Sequence, residues 1–467
     1  MSEFQERDLV VIGAGPGGYV AALLAAKKGL RVTLVERRFV GGTCLNVGCI
    51  PTKAIVRSAD VYQEAKNAAH YGVGAENVSV DYARIRARKD GIVRTLVDGV
   101  SFLLEKAGVE VLVGSASFTD ARTVVVKDAE ATRTLLARHV IIATGAKTRR
   151  LPIPGFDLPK VVDSEGILAM ETLPKSLIVV GGGIIGIEFA FAYARLGVKV
   201  DVLEALPEIL PMADRDAVSR LLRFAKQARI GVETAVRIVT AETAGDGVAI
   251  RYRKDDVEKT LSADLVLSAV GRVPELSGLG LENTGVALSQ NGGIAVDERM
   301  RTNIPGIHAI GDVTNLVQLA HVASRQAAVA VEDILGIPTV MDYRFVPSVL
   351  YTTPTVAWVG MSEAELNRRG IPFRVTKSPF SANGRALILN QPLGFVKLIR
   401  DERTGALVGA TILGDGADEL IATITVAMQN GVTAEALEAT IFAHPTVSET
   451  IREAAAGVLG GAIHYTE

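Results

Sequence analysis

Leu9-Val-Val-Ile-Gly-Ala-Gly-Pro-Gly-Gly18 is an apolar run that breaks into glycines, and it decides the fold. The residues up to Gly13 read as a buried strand, Gly13-Ala-Gly-Pro-Gly-Gly18 as a turn into a helix reaching Ala26, and Arg31-Val-Thr-Leu-Val-Glu36 as the next strand. The three make a βαβ unit with an acid at its end. Gly13 suits the tight turn, Gly15 lets backbone approach a pyrophosphate, and Gly18 lets the helix pack against the strand. The phosphates would rest on the helix N-terminus, where unpaired N–H groups and the helix dipole favour anions. Glu36 is placed to accept hydrogen bonds from ribose hydroxyls.

The unit recurs. Ser176-Leu-Ile-Val-Val-Gly-Gly-Gly-Ile-Ile-Gly186 repeats the strand and glycine turn, and Lys199-Val-Asp-Val-Leu-Glu204 repeats the acid-terminated strand. Glu204 follows Gly186 by the same 18 residues (204 − 186) that separate Glu36 from Gly18 (36 − 18). A lone Gly-x-Gly-x-x-Gly is weak, but two copies in the same context predict two nucleotide sites, as a flavin enzyme fed by a pyridine nucleotide requires. In the second site Gly181, Gly183, Gly186 and Glu204 are the expected contacts. Glu204 would repel a 2′-phosphate, and Ala205-Leu-Pro207 offers no arginine to pair with one, so NAD is expected over NADP.

Composition narrows the function classes. At 467 residues several domains are expected, and 48% hydrophobic with 22% charged residues fits a folded globular chain. A net charge of −2 without long Lys/Arg runs argues against nucleic-acid binding. The opening Met1-Ser-Glu-Phe-Gln-Glu-Arg-Asp8 does not read as a secretory signal, so cytoplasmic residence is expected. The apolar window Leu177 to Ala194 is interrupted by Glu188 and four glycines, and reads as strand, turn and helix rather than a membrane span. No metal site is expected.

Both cysteines fall in Gly41-Gly-Thr-Cys-Leu-Asn-Val-Gly-Cys-Ile-Pro-Thr-Lys53, as Cys44 and Cys49. Residues five apart on an ideal helix have Cα atoms about 8–9 Å apart, beyond the roughly 7 Å that a disulfide spans. A bridge therefore needs a distorted turn, which Gly48 permits, with Pro51 confining regular helix to the residues after it. Free cysteines are usually buried structural thiols, but glycines and a proline fit redox work better than packing.

This stretch resembles the active-site signature of the flavoprotein disulfide reductases, and over its length the chain is most similar to their dihydrolipoyl dehydrogenase branch. The resemblance implies an α/β fold with two Rossmann-like nucleotide-binding domains, for FAD and NAD, plus a C-terminal α+β dimerisation domain. It divides the chain into a first FAD-binding part (1–147), an NAD-binding domain (148–271), a second FAD-binding or central part (272–345) and the dimerisation domain (346–467). It implies that Cys44 meets the substrate, that Cys49 lies against the flavin, and that Lys53 sits near the flavin with Glu188 as its partner. Thr43, Ala116, and Thr144 and Gly145 in Val140-Ile-Ile-Ala-Thr-Gly145 are expected along FAD. So are Asp312, in Thr302-Asn-Ile-Pro-Gly-Ile-His-Ala-Ile-Gly-Asp312, and the backbone of Ala320. Val236, Gly271 and Arg272 are expected around NAD and the return from its domain.

Oxidising a dithiol needs a thiolate, and a thiol is mostly protonated at neutral pH, so a neighbouring base is required. Of six histidines, His444 lies in Phe442-Ala-His-Pro-Thr-Val-Ser-Glu449, which resembles the family's His-Pro-Thr-x-x-Glu motif. The resemblance makes His444 the base, Glu449 its orienting partner, and the molecule a homodimer in which the histidine serves the partner's cysteines. The implied reaction oxidises a protein-bound dihydrolipoyl dithiol and reduces NAD+, with a lipoyl-bearing protein or free dihydrolipoamide as partner.

Thr52, Gln318, Thr355 and Phe442 depart from residues common in that branch. A mercuric or thioredoxin reductase is disfavoured because Gly460-Gly-Ala-Ile-His-Tyr-Thr-Glu467 has no redox pair, and no metal-binding domain is expected before Asp8. Glutathione reductase is disfavoured by Glu204, and a transhydrogenase by the paired cysteines. A subunit acting chiefly as a scaffold in a lipoyl-bearing complex remains an alternative.

Overall fold

The structure is a computed structural model that describes residues 5–466. Two compact units share the chain: the residues up to 58 with 80–173 and 267–342 make the first, and residues 59–79 and 174–266 with those from 343 onward make the second.

In the first unit, β1 (Gln5–Ile12), α1 (Pro16–Lys27) and β2 (Val32–Glu36) form the expected βαβ. β1 pairs in parallel with β2, Leu9 opposite Val32, and on its other edge in parallel with Thr132–Ile142. The sheet order is Glu110–Val113, β2, β1, Thr132–Ile142, Thr123–Lys127, Ser115–Phe118, and Ile307–Ala309 adds in parallel along Thr132–Ile142. Strand order reverses at β1, so its carboxyl end opens where such sheets bind ligands. Leu9, Val10 and Val11 are fully buried, each contributing about 1.5–3 kcal/mol.

β1 starts earlier than its apolar run. Gln5, Glu6 and Arg7 pair with Leu135, Leu136 and Ala137, and Arg7 bonds Thr33 and Glu110 through its guanidinium. A long neighbouring strand thus extends pairing through polar residues. α2 (Gly42–Val47) and α3 (Cys49–Lys66) follow, separated by Gly48. α3 begins before Pro51, not after it, because first-turn residues have no intrahelical acceptor for their N–H groups and tolerate proline.

In the second unit, Ser176–Val180, Ile184–Arg195 and Lys199–Leu203 repeat the βαβ, with Gly231–Glu233 alongside in parallel. The window Leu177 to Ala194 is thus strand, turn and helix, and among the described residues no helix is long and apolar enough to cross a membrane. The C-terminal segment is an antiparallel sheet ordered Ser348–Leu350, Val356–Gly360, Leu407–Leu413, Phe395–Asp401, Phe373–Pro379. Helices Ala417–Gln429 and Glu449–Val458 bury Ile421, Ile424, Ile451 and Val458 in a core with Val359, Leu398 and Ile412.

One buried cation ties distant parts of this unit. Lys397, 1% exposed, lies 2.8 Å from Asp214, 2.8 Å from Asp216 and 2.6 Å from Glu363. Burial opposes its charge, yet the three carboxylates raise the ammonium above its ordinary value. Asp214 also caps the helix Arg215–Gln227, accepting the N–H groups of Asp216 and Ala217.

Candidate active site

The first glycine turn divides its labour as expected. Gly13 has φ +103°, and a Cβ on Gly18 would stand 1.8 Å from the Gly13 carbonyl oxygen, so both positions demand glycine. Gly15 is the N-cap of α1, and a Cβ there would meet nothing within 4 Å. That open face beneath unpaired helix N–H groups has room to cradle a pyrophosphate. The Glu36 carboxylate accepts the Ala14 N–H at 2.7 Å with one oxygen and the Arg38 N–H at 2.7 Å with the other.

The second turn matches it. Gly181 has φ +113°, a Cβ on Gly186 would stand 2.0 Å from the Gly181 oxygen, and Gly183, the N-cap, faces open space. Glu204 accepts the Gly182 N–H with one oxygen and the Leu206 N–H at 2.7 Å with the other. Val236 donates its N–H to the Glu204 carbonyl at 3.1 Å, which places this expected contact beside the acid.

Gly48 adopts φ −143°, ψ −112°, which breaks the helix between the sulfurs as the five-residue spacing required. A Cβ there would stand 2.9 Å from the Thr43 carbonyl oxygen, so Thr43 packs against the break. Thr52 donates its hydroxyl to the Gly48 carbonyl at 2.6 Å, a bond that a serine hydroxyl also makes. No disulfide joins the two cysteines in this structure; Cys44 is half-buried and Cys49 exposed. The Cys44 thiol is raised above its ordinary value, chiefly by hydrogen bonding to Cys49 and by burial, against the opposing charge of Lys53. Cys44, Cys49 and Lys53 therefore form one electrostatic group in which one sulfur holds a proton toward the other.

Other expected flavin contacts lie in the same unit. Asp312 lies in a short turn, Gly311–Thr314, and burial raises its carboxyl, offset in part by Arg272. Ala320 begins the helix Ala320–Ile334. Ala116 is buried in a strand facing Val126. Thr144 donates its hydroxyl to the Glu275 carbonyl at 2.8 Å, and Gly145, φ +73°, accepts the Glu275 N–H at 2.9 Å. Gly271 has φ +103°, and Arg272 donates to the Ala146 carbonyl.

Two supports escaped sequence reasoning. Gln326, fully buried, accepts the Gly311 N–H at 2.6 Å and steadies the Asp312 turn. The Glu275 carboxyl, though burial opposes it, is held at about 2 by the Ser277 N–H, Arg37 and Lys147. Neither sits in a recognisable motif, so no local signal marked it.

In the second unit, His444 and Glu449 come together at the edge of a cavity of about 580 Å³. His444 Nδ1 lies 2.9 Å from Glu449 Oε1, and Glu449 Oε2 accepts the Thr446 N–H at 2.9 Å. Glu449 sits below its ordinary value, burial being outweighed by the Thr446 N–H and His444. With Nδ1–H donated to the carboxylate, Nε2 is left as a proton acceptor. Phe442 lines the same cavity. Glu188, 3% exposed on the helix after the second glycine turn, accepts the Tyr351 N–H at 2.9 Å.

Both nucleotide cradles fit the groups the turns call for: an open glycine at each helix N-cap with an acid locked to the loop behind it. Among the described residues no group of three or more His, Cys, Asp or Glu is placed to hold a metal ion.

Residues 7–327 match the family described as pyridine nucleotide-disulphide oxidoreductase, and residues 346–455 match its dimerisation domain. The chain is 42% identical over 460 residues to a dihydrolipoyl dehydrogenase of Geobacillus stearothermophilus, covering 98% of this chain and 97% of that one. It is 39% identical to a mitochondrial dihydrolipoyl dehydrogenase of Schizosaccharomyces pombe, covering 98% and 91%. Among solved structures, LpdA from Mycobacterium tuberculosis aligns with a TM-score of 0.91 at 30% identity, covering 97% and 99%. The Cu(II) complex of the HOCl-induced flavoprotein disulfide reductase RclA from Escherichia coli aligns with a TM-score of 0.88 at 31% identity, covering 98% and 100%.

Proposed function

The chain belongs to the pyridine nucleotide-disulphide oxidoreductase family, and on that premise we propose that it oxidises a protein-bound dihydrolipoyl dithiol through Cys44 and Cys49 and reduces NAD+. The observation that carries this reading is the sulfur pair: a helix broken at Gly48, with Cys44 hydrogen-bonded to Cys49 and Lys53 nearby.

His444, oriented by Glu449, takes a proton from the incoming dithiol at Nε2. The resulting substrate thiolate attacks Cys44 of the Cys44–Cys49 disulfide, and Cys49 leaves as a thiolate. The second substrate thiol then displaces Cys44, its proton passing to that sulfur, which releases the oxidised substrate and leaves Cys44 a thiol and Cys49 a thiolate. Lys53 favours the thiolate that remains. FAD, when bound, supplies the two-electron relay from these sulfurs to NAD+. Gly13, Gly15, Gly18, Glu36 and Asp312 hold FAD, and Gly181, Gly183, Gly186 and Glu204 hold NAD. The protein works as a homodimer in the cytoplasm, with a lipoyl-bearing protein as partner, and each His444 serves the cysteines of the other protomer.

The deciding experiment uses the purified flavoprotein and its Cys44→Ser and Cys49→Ser variants. NADH formation from dihydrolipoamide is expected to vanish in both while flavin absorbance persists. Normal dithiol turnover in either variant refutes the reading, and a better rate with NADP and oxidised glutathione refutes the choice of substrate.

A further inference from the structure

The buried cation Lys397 and the second glycine turn are joined by an unbroken series of contacts within the second unit. Asp214 uses its two oxygens separately. Oδ1 accepts the N–H groups of Asp216 at 3.0 Å and Ala217 at 3.2 Å, and Oδ2 meets Lys397 Nζ at 2.8 Å. The start of the helix Arg215–Gln227 is thereby fixed to the strand Phe395–Asp401, which belongs to the segment matched as a dimerisation domain.

Backward along the chain, Asp214 closes a segment that leaves the acid-terminated strand at Glu204. Ala213 donates its N–H to the Leu210 carbonyl at 2.9 Å, and Leu210 donates its own to the Gly182 carbonyl at 3.0 Å. Gly182 is the middle of the glycine turn, and its N–H is taken by Glu204. A Cβ on Gly182 would stand 2.6 Å from Ile209 Cγ2 and 3.1 Å from Glu204 Oε2, so the segment lies directly on the turn. Leu210 makes its bond from a φ of +50°, a left-handed conformation that bulky side chains rarely take. Such a conformation is costly and persists only where its surroundings over-determine it. Two points hold it here: the Gly182 carbonyl and, shortly after it in the chain, Asp214 on its buried cation.

We propose that Lys397 is a positioning residue for NAD: by seating Asp214 it keeps the segment from Ala205 to Ala213 pressed on the glycine turn, and so holds Gly182 and Glu204 where the nucleotide meets them. It acts through Asp214 and Leu210 rather than by touching the nucleotide. The proposal rests on the assignment of Gly181, Gly183, Gly186 and Glu204 to NAD.

The test titrates NAD+ into the oxidised holoenzyme dimer by calorimetry and separately follows dithiol-driven flavin reduction by rapid mixing. Lys397→Met should raise Kd for NAD+ by about three- to tenfold, the range of coupling through an intervening segment. KM for NAD+ should rise alike, while kcat at saturating NAD+ and the dithiol half-reaction hold. Lys377→Met removes an exposed cation that lies 2.9 Å from Asp216, leaves Asp214 paired with Lys397, and should keep the parent Kd. Ile424→Ala, in the core of the same unit, lowers the melting temperature but should keep the parent Kd as well. An unchanged Kd in Lys397→Met overturns the proposal, as does an equal rise in either control or a matching loss in the dithiol half-reaction. Should Lys397→Met fail to fold, Asp214→Asn takes its place: the amide oxygen still caps the helix, the charge toward Lys397 is gone, and an unchanged Kd overturns the proposal. Glu204→Ala separates the premise, since a parent Kd for NAD+ in that variant refutes the assignment of the turn to NAD rather than the role of Lys397.

Discussion

Glu204 accepts the backbone N–H of Gly182, so the acid at the end of the second nucleotide-binding strand is fastened to the middle of its own glycine turn. Glu36 does the same to Ala14 in the first copy. The carboxylate is thus pre-oriented before any ribose arrives. Its lone pairs on the far side remain for hydroxyls, and its charge still opposes a 2′-phosphate. Glu204→Ala should lower kcat/KM for NAD by about tenfold or more, the scale of a lost charged hydrogen bond, and narrow the preference over NADP. Steady-state rates with both nucleotides check this; an unchanged preference contradicts it.

The glycines of one turn should separate by role. Gly15→Ala leaves a folded protein, since its φ of −69° suits alanine and the new methyl meets nothing, but the methyl occupies phosphate space and flavin content should fall. Gly18→Ala drives a methyl onto the Gly13 carbonyl at 1.8 Å and should cost about 1–3 kcal/mol of stability. Visible absorbance together with thermal melting distinguishes the two; a flavin-replete Gly15→Ala protein contradicts the cradle.

His444→Gln should cut dithiol oxidation by about 10²–10⁴-fold, the usual worth of general-base catalysis. Reduction of the flavin by NADH should remain near the parent rate, since no proton need leave a substrate thiol in that half. Glu449→Gln, which keeps the contact but loses the charge, should fall between. Equal losses in both half-reactions would point to disrupted folding instead.

Acid should destabilise the first unit through two histidines. His139 and His308 face each other with ring centroids 6.5 Å apart, and burial is the first cause that holds each below the ordinary value of 6.5, with Asp333 opposing it at His308. The unfolded chain then binds more protons than the folded one. Their contribution is complete above about pH 6.5 and is lost as pH falls through 6.5 toward the folded values. Thermal melts across that window should show a falling Tm, and His308→Asn should flatten the fall. A parent and variant with the same slope refute this account.

Much of this was legible in the sequence because it is written in backbone sterics. A glycine at positive φ or under a carbonyl leaves a fixed spacing, so both nucleotide turns and the break at Gly48 could be placed from the sequence. The features that stayed hidden depend on partners brought from far away. Gln326 supports Gly311 through a side chain on a separate helix, and the tie between Glu204 and Gly182 uses a backbone donor that has no side-chain signature. His464 lies in a tail whose sequence speaks only of the cysteines it lacks, yet its ring stands 3.0 Å from Glu453. α3 starts earlier than Pro51 suggests, because a proline that ends a helix from within is accommodated in its first turn.

The buried ammonium of Lys397 constrains how this protein can change over generations. Three acids, Asp214, Asp216 and Glu363, meet this cation, Asp216 being shared with Lys377, and removing one partner of the buried pair with Asp214 typically costs about 3–5 kcal/mol. A lineage that loses the lysine first leaves the buried Asp214 carboxylate without this cation, and one that loses Asp214 first removes the buried partner of the ammonium and uncaps a helix as well. Single-step drift at Lys397 or Asp214 is therefore disfavoured, and the pair should be inherited whole or exchanged in concert for apolar residues of matching volume.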